Sequence, residues 1–148
     1  MSLGNIFDIA GSGMTAQTLR LNTTASNIAN AETASSSIDT TYRARKPVFA
    51  AIHESLLDPA QGHMSMAAAQ GPGAGVRVEG IVESDAELQM RYQPDHPAAN
   101  EDGYVFYPNV NIVEEMADMM SSSRSFQMNV DVMNTAKSMM QRILTLGQ

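Results

Sequence analysis

The sequence has no cysteine and no tryptophan among its 148 residues, and only 5% of it is aromatic. Without cysteine, disulfides, thiol catalysis and cysteine-ligated metal are excluded, and the chain is indifferent to an oxidising compartment. Basic residues are few: nine Lys and Arg stand against sixteen Asp and Glu, a net charge of -7. Phosphate binding needs a basic face, and no Lys/Arg cluster supplies one, so nucleic acid is not an expected partner. No apolar run approaches the ~18 residues of a membrane-spanning helix, so direct membrane insertion is not expected either. The opening "MSLGNIFDIAGSGM" lacks a basic segment followed by a long apolar one, so it is not read as a secretory signal peptide. With 43% hydrophobic and 17% charged residues, the composition is that of one folded domain, or a domain with extended ends, rather than acid-rich disorder.

Methionine, by contrast, is abundant, with 12 residues. A Met-rich, aromatic-poor chain favours adaptable helix contacts over a bulky enzyme core. Ile112, Met116, Met119, Ser123, Phe126, Val130, Met133, Lys137, Met140 and Leu144 follow alternating steps of four and three, and eight of the ten are apolar. A strict seven-residue repeat drifts off one face of a straight helix, because 3.6 residues per turn does not divide seven, so it predicts a supercoiled partner. Asn111 is placed to cap this helix, with Glu114 and Glu115 in its first turn and Gly147 past its end. The partner expected is the N-terminal segment, where Phe7, Met14, Leu21 and Ile28 recur every seven residues. That seam is weaker, and each glycine in a helix interior costs about 1 kcal/mol, so this helix needs another surface to lie against.

Between the helices, "RARKPVF", "GVRVEGIVES", "LQMRYQP" and "DGYVFYP" read as short strands, and the Gly- and Ala-rich residues 58–75 as a flexible loop. The fold class expected is mainly α with a small β element, its long N- and C-terminal helices forming a coiled coil. The organisation expected is an N-terminal helix over residues 1–33, a β-containing segment over 34–109 and a C-terminal helix over 110–148.

Chemistry finds little to hold. "PDHPAANED" gathers His96 with acids, yet it lacks the regular oxygen alternation and the bidentate acid of a calcium loop, so a solvated turn is the reading. Gly11 to Gly13 lack the spacing of a nucleophile elbow, and no glycine-rich phosphate loop is present. No catalytic, cofactor-binding or metal-ligating residue is assigned, and an enzyme is not expected. "NTTASNIANAET" is the more informative segment. Its small residues Ala25, Ser26 and Ala29 suit a close backbone approach, and Asn22, Asn27 and Asn30 would then bond across to a neighbouring chain rather than face water or an apolar core unpaired.

"AGSGMTAQTLRLNTTASNIANAET" resembles the N-terminal signature of the axial proteins of the bacterial flagellum. "GVRVEGIVES" and the stretch from "YQPDHPAANEDGYVFYP" to the C-terminus are similar to the proximal-rod branch of that family. The resemblance implies a structural rod subunit that stacks helically with copies of itself and with other rod proteins. It also implies passage through the flagellar type III export apparatus and residence in the basal body. Subunit contacts are then expected at Leu21, Asn22, Asn27, Ile28, Asn30, Met116, Met119, Arg124, Phe126, Val130, Met133, Met140 and Leu144, and no cofactor is implied. The alternative readings are a helical adaptor or export chaperone gripping one partner through its Met seam and, within the family, the neighbouring proximal rod subunit.

Overall fold

A computed structural model describes residues 3–52 and 75–146. The elements run α1 (Leu3–Asn30), a 3-10 turn (Ile38–Thr40), β1 (Arg45–Ile52), β2 (Gly75–Glu83), β3 (Gln89–Tyr92), β4 (Tyr104–Tyr107) and α2 (Ile112–Leu146). The four segments read as strands are strands. The flexible loop expected over 58–75 lies outside the described residues, apart from Gly75 at the start of β2.

The expectation of a mainly α chain built on a coiled coil is corrected. Two small antiparallel sheets, β1 with β2 and β3 with β4, accompany the 28-residue and 35-residue helices, and the architecture is mixed α/β. The covered seam of α2 is also not the predicted one. Its buried residues are Glu115, Ser122 and Ala136, with Met119, Phe126, Asn129 and Met133 half-buried between them. Met119, Phe126 and Met133 belong to both seams. At alternate positions, however, cover falls one residue earlier than expected, on Glu115, Ser122 and Ala136, and leaves Met116, Ser123 and Lys137 exposed, while Met140 and Leu144 lie beyond the last buried residue. The repeat was read from the largest apolar side chains, whereas close helix approach selects the smallest.

The chain divides into two compact units. Unit 1 comprises residues 1–18, 49–79 and 124–148. Its helix contacts are built from small residues: Ala10, Ala16 and Ala136 are buried, and a Cβ on Gly13 would lie 3.0 Å from Asn129 Nδ2. Ser12 links α1 to β2, donating from Oγ to the Ile9 carbonyl at 2.9 Å and accepting from the Val76 N–H at 3.1 Å.

Unit 2 comprises residues 19–48 and 80–123. Its core gathers Ala31, Ala44 and Val110 with Tyr42 and Ile112 packed against them, while Val105 on β4 is fully buried. β3 and β4 pair in register from Gln89 opposite Tyr107 to Tyr92 opposite Tyr104. The far edge of β4 is closed by Ser35, which exchanges two backbone bonds with Phe106 at 2.9 Å. Asn111 caps α2, its Oδ1 accepting from the Val113 N–H at 3.1 Å, and Glu114 and Glu115 sit in the first turn where the helix dipole favours acids.

The hairpin connection needs Gly103. Its φ is +79°, and a Cβ there would meet Tyr92 Cε2 at 2.9 Å and Pro94 Cβ at 3.3 Å. Gly103→Ala is expected to lower stability by about 1–2 kcal/mol through the left-handed backbone alone, with displacement of the Tyr92 ring added. Urea denaturation of the purified chain measures it, and an unchanged midpoint would show that the turn relaxes freely.

Candidate functional site

Two asparagines organise unit 2 around the first residues of β1. Asn27, only 1% exposed, faces the strand start from α1. Its Oδ1 accepts from the Arg45 N–H at 2.9 Å and from the Tyr42 hydroxyl at 2.8 Å, and its Nδ2 donates to the Arg45 carbonyl at 2.8 Å. From the segment between β4 and α2, Asn109 Oδ1 accepts from the Ala44 N–H at 2.8 Å, while its Nδ2 donates to the Ala86 carbonyl at 2.9 Å and the Ser84 carbonyl at 3.3 Å. Consecutive residues at the entry to β1 are thus held from α1 and from the segment before α2. Side-chain amides with each polar atom matched fix one register of the strand.

The partners described for Asn27 all belong to its own chain. Asn30 also stays local, donating from Nδ2 to the Ser26 carbonyl at 2.8 Å. Asn22 is exposed on α1, together with Ala25 and Ala29, while Leu21 and Ile28 are half-buried. A short polar side chain one turn from a strand finds the nearest free peptide group, and sequence spacing does not reveal that the strand is there. Asn109 was missed for the same reason, since nothing in "PNVN" separates its part from that of the capping Asn111.

On α2 the remaining candidates divide. Met119, Phe126, Val130 and Met133 are half-buried, whereas Met116, Arg124, Met140 and Leu144 are exposed, Leu144 by 68%. The exposed apolar side chains form more than scattered points. In unit 2 they are Val113, Met116 and Met120, and in unit 1 they are Met128, Val132, Met139, Met140, Ile143 and Leu144. The helix thus hides small and polar residues and leaves adaptable methionines exposed.

Charge follows a similar division. Arg20 pairs with Asp118 at 3.0 Å, Arg45 with Glu83 at 3.0 Å, Lys46 with Glu114 at 3.2 Å and Arg77 with Glu79 at 3.5 Å. Arg43 donates to the Ser84 carbonyl at 3.2 Å, and Arg91 lies over the Tyr107 ring at 4.8 Å while donating to Gln89 Oε1 at 3.1 Å. Among the described residues the cations without such an engagement are Arg124, Lys137 and Arg142, all on α2. These surface pairs contribute little each, about 0–1 kcal/mol, but they show which charges folding has already used.

The His96 turn binds its own backbone. His96 Nδ1 accepts from the Ala98 N–H at 3.1 Å, and Asn100 Oδ1 accepts from the N–H groups of Asp102 at 3.1 Å and Tyr104 at 2.8 Å. Among the described residues no three of His, Asp and Glu are grouped to hold a metal ion, and no helix is long and apolar enough to cross a membrane.

Comparison with known proteins joins these surfaces to a family. The family model described as flagella basal body rod protein matches residues 7–34, covering most of α1, and that of the flagellar basal body rod FlgEFG protein C-terminal region matches residues 101–146, covering β4 and α2. The flagellar basal-body rod protein FlgC of Escherichia coli O157:H7 is 47% identical over 148 residues, all of both chains. That of Salmonella typhimurium strain LT2 is 45% identical over the same length, again all of both chains. The FlgC of Borreliella burgdorferi is 36% identical over 162 residues, spanning this whole chain and 99% of its own. On likeness that runs from end to end, the chain belongs to the FlgC family of flagellar basal-body rod proteins, structural subunits of the basal-body rod.

Proposed function

We propose that the chain is a subunit of the proximal rod, polymerising helically with copies of itself and with other rod proteins into the drive shaft that carries torque across the periplasm. It reaches that place through the flagellar type III export apparatus, without a cleaved signal peptide. In this reading it is no enzyme and takes no cofactor or metal, because transmitting torque requires many repeated contacts that resist shear rather than a reacting group. The observation that supports it best is the outward face of α2, where methionine, valine, isoleucine and leucine stand exposed along a helix whose inner face is already occupied. Apolar area left in water by the single chain becomes favourable, at about 25 cal/mol per Å², only when another subunit covers it.

Electron microscopy of basal bodies from a strain deleted for the gene tests this reading. Rings without a rod, and no secreted hook, are expected, with complete structures restored by the wild-type gene. Complete hook–basal bodies in the deleted strain would remove the rod assignment.

A further inference from the structure

Unit 2 carries an open groove of about 660 Å³ whose lining includes Glu32, Glu87, Arg91, Val110, Ile112 and Val113. That volume falls within the ~300–1,000 Å³ of sites that seat ligand-sized groups. Its apolar lining includes Val110, Ile112 and Val113, and its Arg91 is turned onto the Tyr107 ring and Gln89. Glu32 and Glu87 have no ion pair among the described residues, and Val113 at its edge is 76% exposed.

The second half of α2 offers the complement. Lys137, Met140 and Leu144 lie at steps of three and four, so they share one face, and all three are exposed. Ala136, one residue before Lys137, is the last buried residue described on α2, and residues 137–145 after it are exposed. The same face carries one of the three unengaged cations.

We propose that Lys137, Met140 and Leu144 of one copy dock into the groove of a second copy, with Lys137 meeting Glu87 and Glu32 and the two apolar side chains covering Val113 and Ile112. A second copy is the occupant because the unpaired acids of the groove and the unpaired Lys137 are complementary in charge. The two surfaces differ, so the contact is heterologous and repeats into an open assembly rather than closing as a symmetric dimer. The inference rests on the rod-subunit reading and names one of its subunit contacts.

Because the chain has no cysteine, Val113→Cys and Leu144→Cys introduced together give this chain its only thiols for a short bismaleimide crosslinker. Treated hook–basal bodies should yield crosslinked dimers and higher multiples of this chain, with neither single variant giving more than monomer. Charge reversal is the second measurement. Lys137→Glu and Glu87→Lys should each lower the amount of this protein in isolated basal bodies about tenfold, with the double reversal restoring most of it. Dimers from a single-cysteine variant, or intact rods with neither crosslinks nor charge rescue, would overturn the docking while leaving the rod role standing. Complete rods in the deleted strain would remove both.

Discussion

Replacing Asn27 with leucine should lower the stability of the isolated chain by about 3 kcal/mol, a loss that precedes any effect on assembly. The substitution keeps the number and branching of the side-chain heavy atoms and deletes all three side-chain bonds, to the Arg45 N–H, the Arg45 carbonyl and the Tyr42 hydroxyl. A buried polar group left without a partner costs about 1–3 kcal/mol, more than the net worth of the bond itself. The full sum of three such penalties is not expected. Arg45 stands at the exposed start of β1 and can recover water on one side, and the Tyr42 hydroxyl retains Ser26 Oγ at 3.3 Å. Tyr42→Phe removes only the third bond and should cost about 1 kcal/mol. Urea denaturation followed by far-ultraviolet circular dichroism orders the two. Equal midpoints for Asn27→Leu and the wild type would mean that the clamp adds no net stability, and that the asparagine serves contacts outside the chain after all.

That possibility shows where sequence reading succeeds on this protein and where it stops. The strands were legible because alternating, β-branched runs bounded by glycine and proline depend on local geometry alone, and β2 and β4 lie where "GVRVEGIVES" and "DGYVFYP" place them. Asn111 was legible as a cap for the same reason, since its partners are two and three residues away. The seam of α2 was half legible. Met119, Phe126 and Met133 repeat every seven residues in either register, but choosing between Ser122 and Ser123, or Asn129 and Val130, requires the shape of the opposing helix. There Gly13 leaves room for Asn129, a fit between a missing side chain and a polar one that a count of apolar residues misreads. Asn27 and Asn109 were legible as unusual but not as paired, because their partners lie at least fifteen residues away along the chain. The family, by contrast, was readable from the two termini, where the matched regions cover most of α1 and all of α2.

The two clamps grip adjacent residues, so their effects should not be independent. Asn109→Ala is expected to cost about 2 kcal/mol by freeing the Ala44 N–H and the carbonyls of Ala86 and Ser84. Ala44 is buried, so its N–H has little access to water, and its carbonyl already accepts from the Ser84 N–H at 2.8 Å. Asn109 therefore ties the start of β1 to the end of β2 across the same rung that the backbone closes. Once either asparagine is gone, the segment 44–45 can shift and let water reach the groups that the other was holding. The double variant Asn27→Leu, Asn109→Ala should accordingly lose less than the two single losses added together, with a coupling of about 1 kcal/mol, inside the ~0.5–3 kcal/mol seen for residues that share partners. A double-mutant cycle from denaturation midpoints reads this directly. Additivity to within about 0.5 kcal/mol would mean that α1 and the segment before α2 hold the strand separately. A clear coupling would make residues 44–45 the point at which the helical and β parts of unit 2 fold as one.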